Sequence, residues 1–125
     1  MLQPTKDKVY VSWEEVMQFC EKVCERFKGV AGVYGIPRGG VIFAVIISNL
    51  LDIPMLAAPC SGCLVVDDIA DTGETLIHYE ERGYRIATMF YNKLSQIRPE
   101  YYFKEKNDLW IVYPWEVQNE SNRNI

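Results

Sequence analysis

At 125 residues the chain has the length of one domain, and a domain of this size hides roughly two-thirds of the surface its unfolded form exposes. Apolar residues make up 49% and charged residues 24%, a globular composition that excludes disorder. Thirteen Lys+Arg against seventeen Asp+Glu leave a formal net charge of −4, which argues against nucleic acid or an anionic membrane as partner but leaves room for a small anion held by local amides and a cation.

The first eight residues are polar and carry no apolar signal segment, so a cytoplasmic protein is expected, with its four cysteines reduced. Ser12 has the character of a helix N-cap, and Glu15 completes a capping box. Val16, Phe19, Cys20, Val23, Cys24 and Phe27 then recur at helical spacing, with Glu14, Glu21, Lys22, Glu25 and Arg26 on the wet face, until Gly29 ends the helix. Residues 29–34 read as a short buried strand and residues 35–40 as a turn. Residues 41–51 are apolar nearly all round, which predicts a helix buried on several sides; the run falls well short of the ~20 residues a bilayer span needs. Asp52-Ile53-Pro54 stops it, and residues 55–58 are extended.

Residues 64–67 form an apolar run ending in acids, as in a central parallel strand. A loop over 69–73, a helix over 74–82 stopped by Gly83, and a strand over 85–91 follow. The repeated strand–helix–strand order predicts an α/β fold, a parallel twisted sheet with flanking helices and right-handed crossovers. The whole chain, 1–125, reads as one domain. From Pro99 the texture changes: Tyr101, Tyr102, Phe103, Trp110, Tyr113 and Trp115 predict a small C-terminal hood over about 99–117, and residues 118–125 a frayed end.

The densest chemistry lies in Leu64-Val65-Val66-Asp67-Asp68-Ile69-Ala70-Asp71-Thr72-Gly73-Glu74-Thr75. A strand delivers two carboxylates to its C-terminal end, where ligands bind in parallel sheets. The loop that follows, and the helix start after it, offer backbone N–H groups without intrahelical partners, suited to an anion. Gly73 lets the backbone come close, Thr72 and Thr75 add hydroxyl donors, and Glu74 supplies another loop amide. Asp67 and Asp68 would repel that anion; they suit vicinal sugar hydroxyls or a metal held through water. The site reads as one for a sugar phosphate. The turn Gly35-Ile36-Pro37-Arg38-Gly39-Gly40 is a second anchor, with a guanidinium suited to bidentate phosphate contacts and glycines whose amides reach the same anion. Trp110 offers a face on which a flat base can stack.

The twelve-residue string resembles the 5-phosphoribosyl-1-pyrophosphate (PRPP) signature of type I phosphoribosyltransferases: an apolar strand, two acids, two variable residues, then Asp-Thr-Gly-x-Thr. The resemblance extends over roughly residues 9–116 and is nearest to the xanthine-guanine (6-oxopurine) enzymes, whose hood carries a Trp-Ile-x-x-Pro-Trp string like the one from Trp110 to Trp115. It implies that Asp67 and Asp68 contact the ribose hydroxyls and, through water or PRPP, Mg2+. Residues 71–75 would wrap the 5-phosphate, with Asp71 also near N7 of the base. Arg38, Gly39 and Gly40 would meet the pyrophosphate, often through an unusual peptide bond just before the Arg, here Pro37–Arg38. Lys93 would read the 6-oxo group, Trp110 would stack on the purine, and Ile111 would adjoin it. The implied activity is transfer of the phosphoribosyl group to a 6-oxopurine in purine salvage, by a homodimer or homotetramer.

One segment departs from that pattern. Related enzymes carry a long hairpin ahead of the acidic strand that closes over PRPP and excludes water; here only residues 52–63 are available, with no basic side chain to lend. Another subunit closes the site, closure is poor, or the chain is a non-catalytic PRPP or nucleotide-binding regulator. Cys60 and Cys63, in that segment, have the spacing of a metal or redox pair, and Cys20 and Cys24 lie one helical turn apart. His78 reads as a surface residue.

Overall fold

In the computed structural model, which describes residues 7–116, the chain opens with a three-residue strand, β1 (Lys8–Tyr10). Ser12 then caps α1 (Trp13–Arg26), its hydroxyl accepting from the Glu15 amide while the Glu15 carboxylate accepts from the Ser12 amide, each at 3.1 Å. The helix stops at Arg26, with Gly29 beyond it at φ +89°. The strand expected over 29–34 forms later and shorter, as β2 (Val33–Gly35), because residues 27–32 are spent turning the chain. α2 (Val41–Leu51) has the expected bounds but not the expected burial: Phe43, Ala44 and Ile47 are buried, while Val45 and Leu50 are exposed. Its apolar circumference exceeds what the sheet and α1 can cover.

The segment 52–63 holds one isolated bridge, Val33 to Met55, and leads into β3 (Leu64–Ala70). This strand runs three residues past the expected Asp67, absorbing part of the anticipated loop. α3 is correspondingly short (Leu76–Glu81), and Gly83, at φ +84°, follows it. β4 (Arg85–Tyr91) has the expected bounds.

β2, β3, β4 and β5 (Tyr101–Glu105) form one parallel sheet in that order. The aromatic texture of Tyr101–Glu105 predicts a place in the hood, whereas the segment is the edge strand of the main sheet. Tyr101 and Phe103 both lie within about 6 Å of the Phe19 ring on α1, while Tyr102 faces Tyr91 at 4.8 Å. That is strand alternation, masked in the sequence because both faces are aromatic. β6 (Trp110–Val112) stands apart from that sheet and pairs in parallel with β1, the two forming a separate two-stranded sheet. Residues 117–125, including the last residue of the expected hood and the expected frayed end, lie outside the described part.

Both faces of the sheet are covered, as parallel sheets require. Leu64, Val66, Ala87 and Met89 face α1 and α2 in one core, with Val16, Phe19, Val23 and Phe43. Val65 and Ile86 face the other way, toward Leu76 of α3 and Ile97. Among the described residues no helix is long and apolar enough to cross a membrane.

Candidate active site

β3 brings the chemistry to one edge of the sheet. Its first half, Leu64, Val65 and Val66, is fully buried and anchors the strand between β2 and β4. Asp67 and Asp68 follow where the strand emerges. A pocket of about 220 Å³ opens there, lined by residues 67–69 and 71–76. Asp67, Asp68, Asp71, Thr72, Gly73, Glu74 and Thr75 are thus gathered into one wall.

The two acids are a strained electrostatic pair. Burial, reinforced by the charge of Asp68, pushes the Asp67 carboxyl up to about 8. Burial raises Asp68 as well, and Glu116 pushes it in the same direction. The Asp68 amide donates to Asp67 Oδ1 at 2.9 Å and holds that carboxylate's orientation. Two half-buried hard-oxygen donors side by side fit a Mg2+ ion completed by substrate oxygens and water. No three His, Cys, Asp or Glu side chains come together as a metal site among the described residues, so the cysteine pairs of the sequence do not assemble into one.

In the loop after β3, the Glu74 amide is taken by Thr72 Oγ1 at 3.3 Å. Among the described residues the amides of Gly73, Thr75 and Leu76 find no protein acceptor, which leaves them free for an anion. Because α3 has only six residues, an anion here would rest on these loop amides rather than on a long helix dipole. Gly73 lies at φ +82°, and a Cβ there would meet Ser95 Oγ at 2.6 Å and the Gln96 amide at 2.8 Å. Its smallness serves packing against the 95–97 segment as well as the turn.

The second loop meets the first at Asp68. A Cβ on Gly39 would run into the Asp68 carboxylate, so this glycine is what lets the loops touch. The bond between Pro37 and Arg38 is cis. The Gly40 amide, expected to face the anion, donates instead to the Ile36 carbonyl at 2.8 Å; Gly40 closes the turn under β2 and β3 and lends no donor. Arg38 is exposed and stands outside the pocket wall.

Lys93, Trp110 and Ile111 are likewise not part of that wall. Lys93 is 75% exposed, paired with Glu105 at 3.6 Å. Trp110 is 54% exposed on β6 and keeps an open face, while Ile111 packs against the main core. Trp115 belongs to the core side: it stacks on Tyr113 with centroids 5.0 Å apart and meets Phe43 edge-on.

Three site neighbours were not singled out from the sequence. Tyr113 donates its hydroxyl to the Asp68 carbonyl at 3.0 Å, with burial pushing that hydroxyl's ionisation far up, so it stays a donor. Asn92 Nδ2 donates to Asp71 Oδ1 at 2.9 Å. Lys106 Nζ lies 3.5 Å from both Asp71 carboxylate oxygens. Tyr113 sits within the aromatic string already noted; Asn92 and Lys106 carry no motif, since only the parallel placement of β3, β4 and β5 brings their ends together.

No protein-family model matches the chain. Among curated proteins it is similar to the xanthine-guanine phosphoribosyltransferases of Cereibacter sphaeroides (25% identity; 91% of this chain and 90% of that protein) and Nitratidesulfovibrio vulgaris (26%; 86% and 84%). Among solved structures it is similar to a purine phosphoribosyltransferase from Pyrococcus horikoshii, with TM-score 0.78, 29% identity, and 90% and 97% of the two chains covered.

Proposed function

The chain belongs to the type I phosphoribosyltransferases, and from that premise we propose that it is a purine phosphoribosyltransferase that transfers the phosphoribosyl group of PRPP to a 6-oxopurine, releasing pyrophosphate, in purine salvage. The observation that carries this reading is the wall that joins the Asp67–Asp68 pair to a loop of free amides in a pocket at the C-terminal edge of β3.

Asp67 and Asp68 meet the ribose hydroxyls, and the negative charge that the pair carries opposes positive charge developing on the sugar ring. The same carboxylates would hold Mg2+, which when bound supplies charge neutralisation for the leaving pyrophosphate. The amides of Gly73, Thr75 and Leu76 and the hydroxyls of Thr72 and Thr75 hold the 5-phosphate. Arg38, exposed on its loop, and the Gly39 amide meet the pyrophosphate. Asp71 orients or takes the proton at the purine N7, and Asn92 steadies that carboxylate. Trp110 stacks on the base and Ile111 adjoins it. The apolar side chains of Val45 and Leu50 left exposed on α2 suit association of copies into a homodimer or homotetramer.

The test is a direct one: protein, PRPP and Mg2+ with guanine, xanthine, hypoxanthine or adenine, following pyrophosphate release and nucleotide formation. Turnover with an oxopurine is the expected result. PRPP binding by calorimetry without turnover on any base would make the chain a binding protein instead.

A further inference from the structure

We propose that Tyr113 is a positioning residue for the acidic pair: its hydroxyl takes the place of the strand that β3 loses where β2 ends, and so aims Asp67 and Asp68 at the sugar. The inference rests on the reaction proposed above. β2 ends at Gly35, opposite Val66, and the chain turns away. Up to that point β3 is held on this side by backbone bonds. The Leu64 amide donates to the Gly32 carbonyl at 2.9 Å, and the Val66 carbonyl accepts from the Ile36 amide at 3.0 Å. Backbone groups two residues apart on a strand point to the same side, so the amide and carbonyl of Asp68 face the side that β2 has vacated.

Side chains complete what the backbone no longer can. The Asp68 amide donates to Asp67 Oδ1 at 2.9 Å, and the Asp68 carbonyl accepts from the Tyr113 hydroxyl at 3.0 Å. The first bond fixes one oxygen of Asp67; the second fixes the peptide that follows Asp68. Together they hold the backbone on both sides of Asp68, where Gly39 packs against its carboxylate. Without the hydroxyl, a part-buried carbonyl would lose its donor on the strandless side, and the peptide carrying the pair would relax.

The phenol is itself held from all directions. Tyr113 is buried, its ring stacked on Trp115 and edge-on to Phe43 of α2 and Phe90 of β4, with centroids 5.9 and 6.2 Å away. Its amide donates to Glu116 Oε1 at 2.7 Å, and its carbonyl accepts from the Glu116 amide at 3.0 Å. A phenylalanine would serve this aromatic cluster equally well. The hydroxyl is accounted for by Asp68.

The experiment compares Tyr113→Phe with Ser12→Ala, a destabilised variant remote from the site. It measures PRPP binding with Mg2+ by calorimetry, the KM of each substrate, and Tm. Tyr113→Phe keeps the ring and is expected to weaken PRPP binding about 5- to 10-fold, the scale of one hydrogen bond, and to lower kcat/KM for PRPP at least as much. The KM for the base should stay within about twofold, since the base contacts are untouched. Ser12→Ala should lower Tm and leave PRPP binding as in the wild type. If Tyr113→Phe does not fold, Tyr113→Met, which fills much of the same space without a donor, should show the same selective loss. A folded variant with wild-type PRPP affinity, a loss shared equally by the base, or an equal loss in Ser12→Ala would overturn the assignment. Failure of both Tyr113 variants to fold would make the hydroxyl a structural group and overturn it too. A wild-type protein that binds no PRPP would overturn the proposed reaction itself, and that failure shows before any variant is made.

Discussion

On the proposed reaction, Asp67 and Asp68 trade stability for function. At the mouth of a buried strand, burial raises the cost of ionising both, the charge of Asp68 adds to it at Asp67, and Asp67 is pushed up to about 8. Between the ordinary aspartate range near ~4 and that value, the folded state holds a proton that the unfolded state has lost, so stability falls as pH rises through this window. Asp67→Asn is expected to be more stable than the wild type by about 1–2 kcal/mol at pH 8, with a flatter dependence of Tm on pH from 5 to 8. Its phosphoribosyl transfer should drop at least about 100-fold, on the scale of losing one transition-state contact. Thermal melts across pH and the turnover assay check the two halves separately; a variant both less stable and still active would mean the pair is structural. The pair itself was legible from the sequence. The Asn92 and Lys106 contacts to Asp71 were not, because they join residues 21 and 35 positions away.

At the scale of elements, α1 was the most legible because its signals agree. A capping box, a 3.6-residue apolar stripe and a following glycine all point to one helix, and Val16, Phe19, Cys20 and Val23 are buried as the stripe requires. The cap also reaches beyond the helix. Glu15 Oε2 accepts from Lys104 Nζ at 2.9 Å, which ties the start of α1 to the edge strand β5. This contact, first among its causes, holds the Glu15 carboxyl below the usual carboxylate range. Ser12→Ala is expected to cost about 1 kcal/mol and to lower Tm by roughly 3–5 °C, read by calorimetry. A loss near zero would mean that Glu15 is held by Lys104 alone. β5 was misread for the opposite reason. Its alternation is real, but Tyr101, Tyr102 and Phe103 offer no apolar–polar contrast by which a period of two can be seen. β1, three residues long, carries too short a pattern to be read at all.

At the scale of the whole molecule, the two edges of the sheet divide the labour. The pocket opens beyond the C-terminal end of β3, while residues 52–63 enter at its N-terminal end, where Cys63 is buried and Cys60 exposed. The seven residues of β3, rising ~3.3 Å each, put about 20 Å between the two. This segment cannot close over the pocket of its own chain. On the proposed reaction, a chain without that closure leaves PRPP open to water, so slow pyrophosphate release without any base is expected, in excess of the protein-free rate; its absence would mean that another subunit closes the site. Cys60→Ser should leave both that leak and base turnover within about twofold of the wild type, as for a surface substitution remote from the chemistry. A larger change at Cys60 would mean that this face communicates with the site.

What the sequence determined by itself is local: the helix starts and stops, the strands with clear contrast, and the order of groups along the acidic strand and its loop. These follow from backbone sterics, capping and periodicity, which act over a few residues and leave their mark there. What only the tertiary structure decided is which groups meet. Gly39 lies against Asp68, Tyr113 reaches the Asp68 carbonyl, and Lys106 approaches Asp71. Each contact depends on the register and order of four parallel strands, and that order is chosen by the burial of two opposed cores rather than by any short stretch of chain.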